Sequence, residues 1–325
     1  MINKVKQLVK KSILRVMNND EQYQKIAVLE SKITYLSKML SDIYPDHFLI
    51  DKPLKKLIND LIEKRKIDYK LDLRIHKQDI MFLYNLKLYR GNYYDAFIEY
   101  LNSGLHQMEV IQKILEKRGK DLNQTRILDF ASGHGRFTRF MVSKIPPSNI
   151  WVSDTKGDAV DFQKSIFGVN GFNSSFVPEE VHPPVKFDFI FVASLFSHLN
   201  KDLFIRWLKT LLSFLEEDGV LCISAMPITD SKKNGEFNYI EYPVSVLDEE
   251  MYEISNSVGM KAQELYGVAF ASEEWLAGTL TTLTGGSATY YRHKKALWEL
   301  QDIYIITNDS KPGYSDIKFE KYIYT

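Results

Sequence analysis

Small residues and an acid follow two apolar runs near the middle of the chain. The first run, residues 126–130, leads into Ala131–Gly135, whose two glycines let backbone N–H groups approach a ligand closely. The second run, Ile150–Ser153, ends at Asp154, whose carboxylate can accept hydrogen bonds from ribose hydroxyls. Together these features predict a site for a nucleoside-containing cofactor. An ordinary tight turn and a helix cap are the alternatives without a ligand.

The glycine spacing bears on which cofactor this would be. A dinucleotide fingerprint reads Gly-x-Gly-x-x-Gly, and its third glycine would fall at Thr138. The missing glycine disfavours a nicotinamide cofactor, and other nucleoside-containing cofactors stay possible at this loop.

A histidine is the best candidate for acid–base chemistry. His198 follows the apolar run Phe187–Ala193, and imidazole is largely neutral at pH 7, so it can act as a general base. A histidine that only caps or packs at a helix start is the alternative. No His, Asp and Glu residues have metal-ligand spacing, and Cys222 is the only cysteine, so the sequence predicts no metal and no intrachain disulfide.

The elements that position these residues alternate between strand and helix after Gly91, the first glycine of the chain. A helix over 92–118 precedes the first strand, and further apolar strands and amphipathic helices follow. This order predicts an α/β fold with a parallel sheet between helices, in which ligands bind beyond the carboxyl ends of the strands.

Residues 1–90 lack glycine and predict a helical N-terminal extension. Its first helix, 1–17, is basic and amphipathic, a pattern that suits a peripheral membrane contact or packing on the same chain. A helix over 20–44 carries a short heptad seam from Ile26 to Ile43, which suits a coiled-coil-like homo-oligomer or, equally, packing within the chain. Residues 91–325 then form the α/β domain.

Composition excludes several classes of function. The 325 residues include 42 basic and 42 acidic side chains, and this zero formal charge disfavours a dedicated nucleic-acid binder. No apolar run approaches the roughly 18 residues that span a bilayer. We therefore expect a cytoplasmic protein, with membrane association only through 1–17.

The motifs resemble those of class I S-adenosylmethionine-dependent methyltransferases. Ile127–Arg136 resembles the first motif of that family, with Ala131 where a glycine is usual, and Val152–Asp154 resembles the acidic end of the second strand. Phe187–Ile190 with Ala193–Leu199 resembles the fourth strand and its loop. The resemblance implies S-adenosyl-L-methionine as cofactor, bound by Asp129, Ala131, Ser132, Gly133, Gly135, Arg136, Asp154, Thr155, Ser194 and Leu195.

The same resemblance implies a Rossmann-like, doubly wound, mostly parallel sheet of seven strands with an antiparallel last strand. A strand near Ala262–Val268 would pair with Gln301–Thr307. The insertion 272–300 between them would hold two helices, one over Glu273–Leu283 and one containing Tyr290–His293.

The implied activity is methyl transfer to an acceptor. The form of the first motif and the stretch 266–275 resemble methyltransferases of bacterial surface-polysaccharide and glycan synthesis, which points to a sugar or glycan hydroxyl. A small-metabolite methyltransferase, a non-catalytic binding or scaffold member of the same fold, and an NAD-dependent oxidoreductase remain the alternatives.

Overall fold

The computed structural model describes residues 47–67, 69–228, 236–242, 267–308 and 313–322. The helices predicted over 1–17 and 20–44 lie outside these residues. The described part holds seven α-helices: α1 Lys52–Lys64, α2 Ile80–Leu88, α3 Tyr93–Arg118, α4 Thr138–Met141, α5 Gly157–Phe167, α6 Lys201–Ser213 and α7 Glu273–Thr284. None of the helices in this part of the chain is both long and apolar enough to cross a bilayer.

Local sequence accounts for the ends of the helices before the sheet. Asp51 caps α1 by accepting from the backbone N–H of Leu54, and Asp79 caps α2 in the same way. The helix predicted over 92–118 is α3, which ends at Gly119 in the left-handed conformation, φ 72°. Leu54 of α1 and Phe82 of α2 are fully buried in the same core as the sheet. This part of the N-terminal extension therefore packs on the α/β domain.

The main sheet has the predicted mostly parallel form. Its strands run in the order β3-β2-β1-β4-β5-β9-β8, in which β1 to β5 are parallel, while β9 is antiparallel to β5 and β8 is antiparallel to β9. The strands of the whole described structure are β1 Ile127–Phe130, β2 Ile150–Asp154, β3 Asn170–Asn173, β4 Phe187–Val192, β5 Leu215–Pro227, β6 Phe237–Glu241, β7 Gly267–Ala271, β8 Thr289–Leu297 and β9 Gln301–Thr307.

Alternating side chains of the strands build two apolar layers. On β4, Phe189 and Phe191 face the layer of α1 to α3, while Ile190 and Val192 face the layer of α6 and α7. A strand buried on both faces has a nearly continuous apolar sequence, and residues 187–193 fit this pattern with Asp188 as the single polar residue.

The C-terminal region differs from the prediction in its pairing. The strand expected near 262–268 begins at Gly267 in the described structure, and it pairs with the end of β5 and with β6, not with β9. The partners of β9 are β5 and β8. The sheet thus keeps its seven strands and carries an additional ribbon, β6–β7, at the end of β5.

The prediction of two helices in the insertion is confirmed for one helix and wrong for the other. The helix over Glu273–Leu283 is confirmed as α7, but residues 290–293 lie in strand β8. Tyr290 packs against Tyr304 on one face of the sheet, whereas Tyr291 packs against Tyr314 on the other. This alternation with a period of two is the signature of a strand.

Candidate functional site

The glycine loop and Asp154 meet at the carboxyl edge of the sheet. β1 and β2 are neighbours with Phe130 opposite Ser153, so residues 131–136 and Asp154 leave the sheet side by side. The N–H of Gly133 donates to Asp154 Oδ2 at 2.8 Å, and the N–H of Lys156 donates to Oδ1 at 3.0 Å. Burial raises the pKa of Asp154, although these two donors oppose the shift. A half-buried carboxylate in this position can accept further hydrogen bonds from neutral donors such as hydroxyl groups.

The loop after β4 lies on the other side of the glycine loop, because β4 pairs with β1. Ser194 has φ 62°, its N–H donates to Ser224 Oγ at 2.8 Å, and its own Oγ accepts from Gln301 Nε2 at 2.9 Å. Ser224 Oγ in turn donates to Gln301 Oε1 at 2.6 Å. The strands β5 and β9 therefore fix the start of the segment Ser194–Leu195, through two residues that the sequence did not single out as site residues.

Most of the residues predicted to bind the cofactor lie together at this edge. The glycine loop, Asp154, the exposed Thr155 and the Ser194–Leu195 segment follow three adjacent strands, in the order β2-β1-β4. Strand order reverses between β1 and β4, and such a switch point forms a crevice suited to ligands. Ala131 adopts φ 57°, which is the conformation that the usual glycine would supply.

Asp129 lies behind the loop, not on its open side. Its side chain is buried, and Oδ2 lies 3.0 Å from the hydroxyl of Thr138. That hydroxyl lies 2.7 Å from Gln163 Oε1, and Gln163 Nε2 donates to the carbonyl of Gly133 at 2.8 Å. Burial raises the pKa of Asp129 to about 7. In this structure Asp129 is linked to the loop through Thr138 and Gln163, and its contact with a cofactor stays a prediction.

The protons of this chain of hydrogen bonds can be assigned. The carbonyl of Gly133 needs a donor, which fixes Nε2 of Gln163 on the side of the loop and Oε1 on the side of Thr138. Thr138 has one hydroxyl proton and gives it to Oε1. A protonated Asp129 then completes the chain by donating to Thr138.

Arg136 lies between α3 and the turn that joins β8 to β9. Its guanidinium carbon lies 4.7 Å from the centre of the Trp298 ring, and Nη1 is 3.5 Å from Ser103 Oγ. Trp298 Nε1 donates to the carbonyl of Ser103 at 3.2 Å. Burial lowers the pKa of Arg136. The arginine is therefore a positioned cation beside the glycine loop.

His198 is fixed by the backbone of the β6–β7 ribbon. Its Nδ1 lies 2.8 Å from the carbonyl of Gly267, and the N–H of Gly267 donates to the carbonyl of His198 at 2.9 Å. A carbonyl only accepts, so Nδ1 carries the proton and Nε2 holds the lone pair of the neutral ring. Burial lowers the pKa of His198, which favours that neutral form.

A cavity of about 300 Å³ lies elsewhere and carries none of these residues. It sits near the end of β9, where Thr307 pairs with Val220 early in β5, at the sheet edge opposite the glycine loop. Its lining residues are Lys209, Leu212, Ser213, Leu283, Thr284, Ser287 and Asn308. The candidate chemistry belongs to the carboxyl edge instead.

No model of a known protein family matches the sequence, and no curated protein matches it. Among solved structures, an S-adenosylmethionine-dependent methyltransferase from Clostridium acetobutylicum is similar, with 15% identity over 69% of this chain and 96% of the other, at a TM-score of 0.43. A DhpI–SAH complex shares 17% identity over 72% and 98% of the two chains, at a TM-score of 0.41. The plantazolicin methyltransferase BamL, in complex with a triazolic desmethylPZN analog and SAH, shares 12% identity over 71% and 97%, at 0.42. Likenesses of this degree carry no inference about the ligand or the reaction of this chain.

Proposed function

We propose that this protein is an enzyme that binds S-adenosylmethionine at the carboxyl edge of the sheet and transfers its methyl group to an acceptor. The observation that carries the proposal is the half-buried carboxylate of Asp154, which accepts two backbone N–H groups and lies against the glycine loop. Each of its oxygens keeps a lone pair that can accept a ribose hydroxyl. A methyl placed on Gly133 would meet no atom within 4 Å, so there is room at the loop for a close ligand.

The buried Thr138 supports this cofactor over a dinucleotide. In dinucleotide-binding folds a third glycine lets the helix approach the strand closely. Here the Thr138 side chain fills that place, is fully buried and is hydrogen-bonded to Asp129 and Gln163. No observation in the described structure favours a nicotinamide cofactor.

The sulfonium of S-adenosylmethionine is an activated methyl donor, so the protein has to align an acceptor and accept a proton. Alignment alone can supply ~7–11 kcal/mol of the barrier. In our proposal Nε2 of His198 takes the proton of a hydroxyl acceptor, a task worth roughly 10²–10⁴-fold in rate. The hydrogen bond from Nδ1 to Gly267 holds the ring in the tautomer that this role needs.

We extend the proposal to a sugar or glycan hydroxyl as acceptor. The support is the resemblance of the first motif to methyltransferases of glycan synthesis, together with a neutral imidazole suited to deprotonating a hydroxyl. A small-metabolite acceptor is the second possibility. Turnover assays with a panel of free sugars, glycan fragments and small hydroxylated metabolites distinguish the two, and tight cofactor binding without turnover on any of them would favour a non-catalytic binding role.

Calorimetry on Asp154→Ala tests the cofactor site. The change removes a charged acceptor worth about 1.5–3 kcal/mol, so we expect the affinity for S-adenosylmethionine to fall about ten-fold or more. Asp161→Ala, on the exposed side of α5, is the matched control and should bind as the wild type does. Asp154→Asn keeps one acceptor oxygen and serves if the alanine variant does not fold. Unchanged affinity in a folded Asp154 variant, or tighter binding of NAD than of S-adenosylmethionine, refutes the assignment.

The base is tested separately with His198→Gln. We expect turnover to fall about 10²-fold or more, while cofactor affinity changes little. Because burial lowers the pKa of His198, the wild-type rate should stay level from pH 8 to 7 and fall only below about pH 6.5, the ordinary histidine value. Wild-type turnover in a folded His198→Gln variant would leave this residue a structural role only.

A further inference from the structure

Two histidines and an aspartate from three separate segments meet beside the glycine loop. His76 comes from the segment between α1 and α2, His134 from the loop itself, and Asp158 from the first turn of α5. One potential ligand atom from each residue lies within 4.8 Å of those of the other two. His134 Nε2 is 3.3 Å from Asp158 Oδ2, and the rings of His76 and His134 stack with centroids 4.4 Å apart.

We propose that these three side chains bind a divalent metal ion, Zn²⁺ in particular. Two imidazole nitrogens and one carboxylate oxygen are a donor set for Zn²⁺, with a water as fourth ligand. Ligands about 2.0–2.1 Å from a tetrahedral ion lie about 3.3 Å from each other, which is the separation of His134 Nε2 and Asp158 Oδ2. Two of the three ligands are therefore already spaced for the ion.

The third ligand requires one imidazole ring to turn out of the stack. The two imidazole planes are within 9° of parallel, and an ion cannot lie in both planes at once. His76 is the ring that would have to turn, because it is only half-buried whereas His134 is buried; the turn would change its contact with Phe162, whose ring centre lies 5.1 Å away. The hydrogen bond from Gln78 N–H to His76 Nδ1 is long, at 3.3 Å. Rotation about χ2 of a histidine meets only a broad, soft potential.

Charge around the cluster favours a cation. Asp158 contributes a carboxylate whose side chain is 44% exposed, so an ion can enter from solvent. Asp154 interacts electrostatically with His134 as well, and also with Lys156. No lysine or arginine is among the residues that the structure places in hydrogen-bond or ring contact with His134, which are His76, Asp158 and Phe162.

The ion would tie the N-terminal segment to the cofactor loop. This segment already contacts the helix after the loop, because Arg139 Nη1 donates to the carbonyls of Asp72 and Arg74 at 2.9 and 3.2 Å. A metal bound by His76 would join the segment to the loop residue His134 by coordination, in place of the ring stacking that connects them here. The proposal concerns metal binding and does not depend on the identity of the cofactor.

The experiment uses the full chain without a histidine tag. Zn²⁺ binding is measured by calorimetry, and Co²⁺ is added separately as a spectroscopic probe whose visible absorption reports nitrogen and oxygen ligation. We expect saturable binding by the wild type, a higher thermal midpoint with Zn²⁺, and at least about a 100-fold loss of affinity in His134→Ala and His76→Ala. His182→Ala, which removes an exposed histidine outside the cluster, is the control and should bind as the wild type does.

Asp158→Asn keeps the test decisive if a histidine variant does not fold. Its side chain is largely exposed, so the fold should survive while a charged ligand is lost. Equal Zn²⁺ affinity in the wild type and in the folded cluster variants would overturn the proposal, and so would a wild type that binds neither ion. In that case His134 and Asp158 form a hydrogen-bonded pair against which the His76 ring stacks, and nothing more.

Discussion

Replacing Asp129 with Asn should make the protein more stable and remove part of the pH dependence of its stability. Burial raises the pKa of Asp129 from 3.8 to about 7, and the hydrogen bonds around Thr138 are complete when this carboxyl is protonated. An asparagine has nearly the same shape, and its amide can donate to Thr138 as the protonated acid does. The variant therefore keeps the contacts and loses the cost of a buried charge.

The size and sign follow from linkage. A rise of about 3 pKa units corresponds to about 4 kcal/mol between the two protonation states. Folded Asp129 holds a proton that the unfolded chain has lost between about pH 4 and 7, so the stability of the wild type falls as pH rises through that window and levels off above it. We expect the advantage of Asp129→Asn to grow by about 2–3 kcal/mol from pH 5 to pH 8.

Urea unfolding at pH 5, 6, 7 and 8 measures this difference. Asp161→Asn is the control, since this exposed aspartate on α5 should shift the free energy of unfolding by no more than about 0.5 kcal/mol at any of these pH values. Parallel pH curves for Asp129→Asn and the wild type, or a variant less stable at pH 8, would show that Asp129 is ionised in the folded protein.

Three further predictions concern the loop and the N-terminus. Gly135→Ala should lower the free energy of unfolding in urea by about 1–3 kcal/mol, because φ is 81° and the new methyl would lie 2.6 Å from Phe167. Gly133→Ala is the control, since its methyl would meet no atom within 4 Å and the loss of stability should be smaller. Equal losses in the two variants would refute this explanation. Ala131→Gly should raise the free energy of unfolding by up to about 1 kcal/mol by relieving a left-handed φ of 57°, and a loss of stability would contradict that. We also propose that residues 1–45 mediate self-association or membrane contact, so that their removal leaves cofactor binding intact but lowers the mass seen by light scattering or abolishes flotation with anionic liposomes. If the full chain and the shortened chain are both monomeric and neither floats with liposomes, residues 1–45 only pack against the rest of the protein.

The parallel core of the fold could be predicted because local patterns suffice there. Residues 187–193 are apolar except for Asp188, which indicates a strand covered on both faces, and the small residues after 130 indicate the turn into a helix. The C-terminal pairing could not be predicted in this way, since strand order depends on contacts between distant segments. In residues 290–293, Tyr290 and Arg292 face one side of the sheet and Tyr291 the other, an alternation that four aromatic and polar residues only weakly suggest.

The same distinction holds for the site. The glycine loop and Asp154 could be predicted from the sequence because each lies at the end of a strand, and neighbouring parallel strands bring their ends together. Gln163 and Gln301 carry no local signal, although they hold the two loops in place. His76 and His134 are far apart in the sequence and meet only in the folded protein. Ligand spacing within a short stretch of sequence therefore does not reveal them, and the sequence predicted no metal.

Strand β5 pairs with both β9 and β7, and the lengths of the two pairings imply that β9 and the β6–β7 ribbon unfold from the sheet with different free energies. Six residues of β5 pair with β9, from Val220 to Ala225, whereas β7 is joined to β5 only at Met226 and Pro227. Beyond that point the N–H of Ile228 donates to the carbonyl of Ala271 over a long 3.4 Å, so the junction is both short and weakly bonded. Amide protons of β9 should exchange with solvent only on global unfolding, and those of β6 and β7 through smaller openings. Since Gly267 of this ribbon holds the His198 ring, the geometry of the proposed base would be lost in excursions that leave the rest of the sheet intact.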